Sequence, residues 1–465
     1  MSPQDNEHTL DVLSPYTGEI VGTVPRATLA DVDKALSAAE DGARLSRALS
    51  RADRASILNK CADIVEDRSQ SFAETIVREA GKTIAQARKE VGRCVNTLRL
   101  SAEEAKRLTG ETIPFDSFKG AEDRFGFYER DPLGIILAIT PFNDPLNLVA
   151  HKLGPAIAGG NAVILKPSGL TPLSALALAE AFHEAGLPKP VLSVLTGNRA
   201  VSEALVRAPQ IRMISFTGGA VTGESIIRTA GLKKIAMDLG GNAPVIVMED
   251  CNLDDAVECC VSGAFWAAGQ NCIGVQRLLV QGSVYDGFAK RFVEQTARLT
   301  VGDPMDEATD MGPMISSNEV ERIQRWVDDA VRGGARLLHG HRRDGALYAP
   351  TILENVPDTA SVRCEEVFAP VVILQPFSTL DNAIAEANKP DQSLHAAIFT
   401  KNIDQAFDAA RRLEAGGVMI NDSSDFRFDG MPFGGYKRGS LGREGVRFAI
   451  DEMTQTKVIC IRTAR

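Results

Sequence analysis

Short apolar runs alternate with helical segments from about residue 133 onwards, and this alternation constrains the fold more than any other feature of the chain. Helix-like stretches such as 171–186 and 221–231 separate most of the runs. Strands that are apolar throughout are buried on both faces, which is typical of a parallel sheet with helices on either side. The runs are Ile135–Ile139, Ala162–Leu165, Val191–Val194, Met213–Phe216 and Val245–Val247. The sequence therefore predicts an α/β protein.

A helical segment precedes this sheet, over about residues 28–108. Thr28–Asp31 has the spacing of a capping box before an amphipathic run, and Ser71–Glu74 repeats the pattern. Gly81 is a plausible helix stop, because glycine adopts the left-handed conformation that ends many helices.

A second series of helices and strands runs from about residue 253 to 425, and two pieces stand outside both series. Asp116–Asp131 is polar and aromatic and suits a hairpin arm, whereas Thr454–Ile461 resembles a late strand without a local partner. We expect these two pieces either to pair with each other or to complete a neighbour's sheet.

Composition narrows the possible partners. The formal net charge is −10 and no long basic run occurs, so nucleic acid is not an expected partner. The eight cysteines are scattered, which favours reduced thiols over disulfides or a zinc site and predicts no metal. The N-terminus is polar and no stretch approaches membrane-spanning length, so we expect a cytoplasmic protein without a membrane partner.

A cysteine and an asparagine lie at turns suited to covalent catalysis. Cys272 follows a small-residue helix and the turn Gly269-Gln-Asn, where a thiolate would be a nucleophile. A single buried cysteine is nevertheless usually inert. Asn143 lies between Pro141 and Pro145, so its amide is a candidate oxyanion donor or simply a turn former.

Three further motifs follow predicted strands, where open α/β sheets bind ligands. Asp238 precedes a Gly-Gly turn and is either a general base or an ordinary strand-end acid. Lys166 either contacts a ribose or phosphate or is a solvated surface lysine. Phe216-Thr-Gly-Gly219 opens a helix and either receives a pyrophosphate or is an ordinary turn, since no GxGxxG is present.

Together these motifs resemble those of the NAD(P)-dependent aldehyde dehydrogenases, in the family's order and at similar spacing. The resemblance runs from about residue 10 to the C-terminus and is nearest to the non-phosphorylating glyceraldehyde-3-phosphate, phosphonoacetaldehyde and lactaldehyde dehydrogenases. The segments that carry it are Phe142–Asn143, Leu165–Ser168, Phe216–Gly219, Asp238–Asn242, Gly269–Cys272, Glu365–Pro370 and Met431–Gly435.

The resemblance implies three structural parts and a homodimer or homotetramer. A Rossmann-type cofactor domain would comprise residues 1–115 and 133–239, and an α/β catalytic domain residues 240–450. Residues 116–132 and 451–465 would form a small oligomerisation arm.

The resemblance also implies roles for individual residues. Cys272 would attack an aldehyde, Asn143 would hold the oxyanion, and Asp238 would activate the water that releases the acid. Lys152 matches a lysine proposed as a proton relay, although a helix-surface lysine is an equal alternative. Residues implied to bind the cofactor are Thr140, Pro141, Phe142, Lys166, Ser168, Gly169, Phe216, Gly218, Gly219, Leu239, Gly240, Glu366 and Phe368. Residues implied to bind the substrate are Arg99, Asn271, Arg427 and Phe433.

Two positions depart from the family pattern. Asp238 stands where the base is usually glutamate, so its carboxylate reaches about 1.3–1.5 Å less far. Gly169 stands where NAD-preferring relatives commonly have a glutamate against the ribose hydroxyls. The missing charge leaves room for a 2′-phosphate beside Lys166, which favours NADP while leaving NAD possible.

The substrate is predicted from two arginines. Arg99 resembles an anion-binding arginine of the glyceraldehyde-3-phosphate enzymes, and Arg427 lies near a second one. Arginine suits phosphate, phosphonate or carboxylate capture, although both side chains could instead be exposed or bind a neighbouring carboxylate. Asp144 and Asn271 stand where phosphonoacetaldehyde enzymes tend to have basic residues, which disfavours a phosphonate.

Three functions remain open from the sequence. The leading one is oxidation of a small anionic aldehyde with NADP. The second is a CoA-acylating semialdehyde dehydrogenase, because those relatives lack the glutamate base. The third is a catalytically retired structural or binding protein.

Overall fold

The computed structural model describes residues 8–463. Residues 1–7 and 464–465, which include most of the polar N-terminus and the end of the predicted arm, lie outside the described part. The helices are α1 (Leu29–Ala48), α2 (Arg51–Asp67), α3 (Ser69–Ala80), α4 (Ile84–Arg107), α5 (Asn147–Ala158), α6 (Leu173–Glu184), α7 (Arg199–Arg207), α8 (Ala220–Ala230), α9 (Leu253–Phe265), α10 (Tyr285–Thr296), α11 (Ser317–Arg332), α12 (Ser361–Cys364), α13 (Leu380–Ala387), α14 (Ile403–Arg412) and α15 (Val446–Met453). The strands are β1 (Thr9–Leu13), β2 (Ile20–Pro25), β3 (Glu111–Ile113), β4 (Arg124–Pro132), β5 (Ile135–Ile139), β6 (Ala162–Lys166), β7 (Leu192–Val194), β8 (Ile211–Thr217), β9 (Lys234–Asp238), β10 (Pro244–Val247), β11 (Arg277–Gln281), β12 (Arg336–His339), β13 (Arg343–Asp344), β14 (Leu347–Tyr348), β15 (Thr351–Glu354), β16 (Val371–Phe377), β17 (Gln392–Ser393), β18 (His395–Phe399), β19 (Gly417–Ile420), β20 (Tyr436–Lys437), β21 (Ser440–Leu441) and β22 (Thr454–Arg462).

The first large sheet has the strand order β21-β9-β8-β5-β6-β7, and its strands are parallel except for β21. The chain reverses its direction of travel across the sheet between β5 and β8, so this is a doubly wound sheet with a switch point there. Helices α2 to α6 and α15 contribute to the core on one face, and α1, α7 and α8 to the core on the other. The predicted α/β class is confirmed.

The second large sheet has the order β12-β15-β16-β11-β10-β18-β19 and is parallel except for β12. Its faces pack against α9, α10 and α11 on one side and against α13 and α14 on the other. The segments that enter β10, β11 and β16 are neighbours, because these three strands are adjacent. Residues 240–243, 266–276 and 365–370 therefore lie together at the N-terminal ends of these strands.

The two predicted orphan segments pair with each other. β22 runs antiparallel to β4 over nine residue pairs, from Thr454 opposite Pro132 to Arg462 opposite Arg124, and β3 adds a third strand. β22 is an edge strand of this sheet, and Val458 and Ile461 are exposed on it.

The chain returns to the first sheet near residue 440. The sequence placed residues 240–450 in the catalytic domain and 451–465 in the arm, whereas β21 pairs with β9 and α15 contributes Val446, Ile450 and Met453 to the first core. The apolar face of α15 needs a partner surface, and the helices of the first sheet supply it.

The helix signals were partly correct. Thr28 and Asp31 form the predicted capping box, and Gly81 ends α3 in the left-handed conformation with φ 73°. Ser71 is not a cap, because α3 already begins at Ser69, almost directly after α2. Cap boxes that we did not predict start α2 at Ser50 and α4 at Thr83.

Among residues 8–463, no helix is both long and apolar enough to span a bilayer. The same residues include no group of three or more His, Cys, Asp or Glu side chains placed to hold a metal ion.

Candidate active site

Cys272 lies at the end of a strained turn. After α9, Ala267, Ala268 and Gly269 all have positive φ, at 50°, 55° and 68°. A left-handed conformation costs a residue with a Cβ roughly 1–2 kcal/mol, so the surroundings must hold this turn in place. The buried Gln270 does so, because its amide donates to the Ala267 carbonyl at 3.1 Å and accepts from the Ile315 N–H at 2.8 Å.

Gly269 is required by close packing as well as by its φ. A Cβ at this position would lie 2.2 Å from the carbonyl oxygen of Ala369, in the segment that enters β16. The turn before Cys272 is thus pressed against the segment that contains Glu366 and Phe368.

The thiol of Cys272 lines a cavity of about 320 Å³ and packs against Ile273, Leu394 and Phe433. Burial raises the pKa of this thiol, and the nearby Glu366 carboxyl raises it further, whereas Arg427 lowers it. These surroundings favour the thiol over the thiolate in the free protein, so the proton must leave as the sulfur attacks.

Asn143 faces the same cavity from the carboxyl end of β5. Its Nδ2 donates to the carbonyl of Gln270 at 3.0 Å, which leaves a second amide hydrogen for a ligand. The corner is fixed from below by the buried Glu90 of α4, which accepts from the N–H groups of Leu146 and Asn147 at 2.9 and 3.0 Å. Asn143 is thus a rigidly supported donor beside the thiol.

Asp238 is buried at the end of β9, and it is not among the described side chains that line the cavity. Burial raises its pKa well above the usual range, and the charge of Glu444 raises it further. One carboxyl oxygen, Oδ1, has no hydrogen-bond partner within residues 8–463. The shorter side chain thus leaves a carboxyl group set back from the cavity, in surroundings that favour its protonated form.

Lys152 is not a surface residue. It is 1% exposed, and its Nζ donates to Ser215 Oγ at 3.1 Å and to Glu444 Oε1 at 3.0 Å. The surface alternative is therefore wrong. Burial would raise the pKa of Glu444, but Lys152 and Arg427 more than offset this and lower it, so Glu444 is ionised.

Glu444 was missed in the sequence, although it joins Lys152, Asp238 and Arg427 into one buried cluster. Its setting, Gly442-Arg-Glu-Gly445, follows the Met431–Gly435 motif and precedes an amphipathic helix. An acidic residue between this motif and the helix was the sequence feature that could have identified Glu444.

The carboxyl ends of β5, β6 and β8 carry groups suited to bind a dinucleotide. The hydroxyl of Thr140 is buried and lacks a partner among the described residues, as expected for a group awaiting a ligand. Gly218 and Gly219 precede α8 and leave its N-terminal N–H groups available to a phosphate. The residues present therefore fit the predicted cofactor.

Further predicted cofactor residues lie near these strand ends. Lys166 ends β6, where burial lowers its pKa, and it donates to the carbonyl of Pro167 at 3.2 Å. A Cβ at Gly169 would meet only Leu10, at 3.4 Å, so the position is open. Ser168 is next to it and accepts from the N–H of Leu170 at 3.2 Å.

The remaining cofactor residues lie where the two sheets face each other. The rings of Phe142 and Phe368 meet edge-to-face with centroids 5.8 Å apart. Glu366 accepts from the Gly241 N–H at 3.3 Å, and burial raises its pKa to about 8. Gly240 has φ 96°, and a Cβ there would lie 2.4 Å from the Glu366 carboxyl.

Packing fixes the positions of the other members of this set. Leu239 is buried against Gly223 of α8, where a Cβ would lie 2.4 Å from Leu239 Cδ2. Phe216 is buried at the end of β8, and Pro141 lies between Thr140 and Phe142 at the end of β5.

Arg99 does not lie at the site. Its side chain is 44% exposed, and it bonds Glu66 at 2.5 Å and Asp63 at 3.3 Å on α2. The reason is helix phase. The face of α4 that lines the cavity carries Gln86, Lys89 and Arg93, and six residues beyond Arg93 is a rotation of about 240°. The prediction that Arg99 binds substrate is wrong, and the spacing of Arg93 from Lys89 was the signal that we missed.

Arg427 does line the cavity. Its side chain is 7% exposed, its guanidinium lies 3.7 Å from the ring centroid of Phe433, and Nη2 bonds Glu444 Oε2 at 3.1 Å. Its Nε has no hydrogen-bond partner among the described residues. Asn271 also lines the cavity, with its side-chain oxygen accepting from the Ile273 N–H at 3.3 Å.

Comparison with known proteins agrees with this geometry. The model of the aldehyde dehydrogenase family matches residues 2–459. The chain is 61% identical to aspartate-semialdehyde dehydrogenase 1 of Pseudomonas canavaninivorans, covering 98% of this chain and 97% of the relative. It is 45% identical to 3-sulfolactaldehyde dehydrogenase of Priestia aryabhattai, covering 97% and 94%.

A solved structure is similar over nearly the whole chain. The glyceraldehyde-3-phosphate dehydrogenase of Methanocaldococcus jannaschii, complexed with NADP, superposes with a TM-score of 0.95 at 41% identity and covers 98% of this chain and 100% of that one. A turn that holds a cysteine beside an asparagine amide, next to strand ends suited to bind a dinucleotide, is accounted for by this kinship: the chain belongs to the aldehyde dehydrogenase family of NAD(P)-dependent enzymes.

Proposed function

We propose that this enzyme oxidises a small anionic aldehyde to its carboxylic acid with NADP, through a thioester on Cys272. The observation that carries the substrate class is Arg427, a buried arginine in the wall of the Cys272 cavity whose Nε has no partner among the described residues. An arginine has five N–H donors, and the one described hydrogen bond of this side chain is to Glu444, so donors remain for an anionic ligand in the cavity.

The first half of the reaction uses Cys272 and Asn143. The sulfur bonds to the aldehyde carbon as the thiol proton leaves, and the free Asn143 N–H, with the Cys272 N–H, stabilises the negative oxygen. Bound NADP supplies the hydride acceptor. Loss of hydride from the substrate carbon leaves the thioester on Cys272.

The second half releases the acid. Water attacks the thioester carbon, the carbon–sulfur bond breaks, and Cys272 is regenerated. Asp238 is the candidate base for this water, and Lys152 and Glu444 are positioned to influence its proton. Asp238 can accept a proton only after it has lost its own, and because it is set back from the cavity we infer that a second water bridges it to the thioester.

The setback of Asp238 also favours a second candidate function. If no water is activated, CoA would attack the thioester instead and leave as acyl-CoA. This alternative shares every step up to the thioester and differs only in the acceptor.

A panel of small aldehydes bearing carboxylate, phosphate, phosphonate, sulfonate or no charge tests the proposal, with NADPH formation as the readout. We expect turnover of charged members without CoA and one acid formed per NADPH. Cys272→Ala should abolish turnover while NADP binding persists. Substantial oxidation by Cys272→Ala would contradict the covalent mechanism. A requirement for CoA, with acyl-CoA as product, would favour the alternative.

A further inference from the structure

Most charges in the wall of the Cys272 cavity neutralise one another. Lys82 is buried and pairs with Glu90 at 2.8 Å and with Asp144. Arg93 pairs with Asp144 at 3.5 Å and with Asp429 at 3.0 Å. Although Nε of Arg93 has no described partner, the charges of these paired groups offset one another, so they contribute little net charge to a ligand.

Three charged groups of the wall remain outside these pairs. Asp422 and Asp425 form no ion pair within 4.0 Å among the described residues, and neither does Lys89, whose ammonium lies 4.6 Å from the ring centroid of Trp266. With Arg427 bound to Glu444, this part of the wall carries two carboxylates and one ammonium. A purely anionic ligand would meet net repulsion here.

The position of Asp425 is built into the fold. A Cβ at Gly263, on the helix that leads to Cys272, would lie 2.8 Å from Asp425 Oδ1 and 2.0 Å from Ser423 Oγ. The glycine lets this carboxylate lie directly against α9 while facing the cavity. Burial raises the pKa of Asp425, with Ser423 and Lys89 opposing the rise, so a cationic partner would relieve an unfavourable burial.

We propose that Asp425, assisted by Asp422, accepts an ammonium group of the substrate. The substrate is then a small aldehyde that carries both a carboxylate and an amino group, as the semialdehyde of an acidic amino acid does. This inference rests on the proposed function, because Arg427 takes the carboxylate. The opposite charges of the ligand match opposite charges in a cavity of about 320 Å³, which is at the small end of ligand sites.

Two aldehydes that differ only in the amino group test this assignment: 4-oxobutanoate and 2-amino-4-oxobutanoate. We expect the native enzyme to have the higher kcat/KM for the amino compound. Asp425→Asn should lower that value by roughly 10- to 100-fold, as for a lost charge-assisted hydrogen bond, and leave 4-oxobutanoate unchanged or improved. Asp33→Asn, the same change at an exposed residue of α1, is the matched control.

The outcomes separate the inference from the function on which it rests. Equal effects of Asp425→Asn on both aldehydes would overturn the ammonium site while leaving oxidation of an anionic aldehyde in place. Failure of the native enzyme to oxidise either compound, or any other charged aldehyde, would remove the proposed function itself. If Asp425→Asn does not fold, competitive inhibition of the native enzyme decides: aspartate should inhibit more strongly than succinate, and the reverse order would overturn the inference.

Discussion

Arg427 contacts an aromatic ring and a carboxylate, and it also lines the substrate cavity. Its guanidinium covers the ring of Phe433, Nη2 bonds Glu444, and Nε is buried without a described partner, while the side chain as a whole lines the cavity. Stacking on the Phe433 ring fixes the plane of the guanidinium group. This orients the group without using its N–H donors. The same side chain thus links the substrate cavity to the buried cluster around Asp238.

Arg427→Ala should lower kcat/KM for 4-oxobutanoate far more than for butanal. A charge-assisted hydrogen bond is worth about 1.5–3 kcal/mol, which corresponds to roughly 10- to 150-fold. Both substrates lose some rate because Glu444 loses a partner, so the ratio of the two losses is the measurement. Arg427→Lys should restore only part of the ratio.

Arg99→Ala is the matched control for this ratio. Its ion pairs are exposed, so we expect kcat/KM to stay within about twofold for both aldehydes. Equal losses on the two aldehydes with Arg427→Ala would mean that Arg427 holds the fold and not the substrate.

The positions of catalytic residues were easier to predict from the sequence than the groups that surround them in the fold. The turn before Cys272 and the corner at Asn143 were visible because glycine, proline and short motifs mark them. The pKa shifts of Cys272 and Asp238 were not visible, because they come from burial together with Glu366 for Cys272 and Glu444 for Asp238, and none of these is local in sequence. Arg99 and Arg93 show the same limit, since helix phase decides which of two nearby arginines faces a cavity.

At the scale of elements, the end of β6 and the loop after it determine which charges lie near the 2′ position of the cofactor's ribose. Gly169 has neither a left-handed φ nor a close neighbour other than Leu10, so a side chain is tolerated there. Lys166 ends the strand, and the one described hydrogen bond of its ammonium group is to the carbonyl of Pro167. A 2′-phosphate would find a cation here and no opposing acid.

Gly169→Glu should therefore shift cofactor preference from NADP toward NAD. The new carboxylate would repel a 2′-phosphate and accept from ribose hydroxyls, and like charges brought together cost several kcal/mol. We expect the ratio of kcat/KM for NADP over NAD to fall by at least about 10-fold. Gly169→Gln has the same length without the charge and is the control. A native enzyme that strongly prefers NAD would contradict the premise.

A capping pattern predicted the start of a helix correctly only where no other helix directly preceded it. Thr28 caps α1 as expected, whereas the Ser71 pattern lies inside α3 because α2 and α3 are joined almost without a loop. A serine followed three residues later by glutamate also occurs within helices, so the pattern needs a preceding break to define a start.

At the scale of the whole molecule, the site combines residues from opposite ends of the strands of the two sheets. The first sheet contributes the ends of its strands, through Asn143 and Asp238, and the second contributes the segments before its strands, through Cys272 and Glu366. The sequence revealed both series of strands. It could not reveal that residues 440–453 return to the first sheet, because β21 is only two residues long.

We propose that the sheet β22-β4-β3 mediates self-association into a homodimer or homotetramer. The unpaired edge of β22 and the exposed Val458 and Ile461 offer backbone and apolar contacts. Changing both residues to lysine should reduce the mass measured by light scattering to that of a smaller assembly. Leu232→Lys, at another exposed apolar residue, should not. An unchanged mass in the double variant would exclude this surface.

The return of the chain's last segment to the first sheet has a consequence for synthesis. During translation the helices and strands of the first sheet emerge early, yet β9 lacks its neighbour β21 and the core lacks α15 until residues 440–453 have left the ribosome. β4 likewise waits for β22. Domains usually fold in the order in which they are made, but here the half that is made first can close only after the second sheet and residues 440–462 have been made.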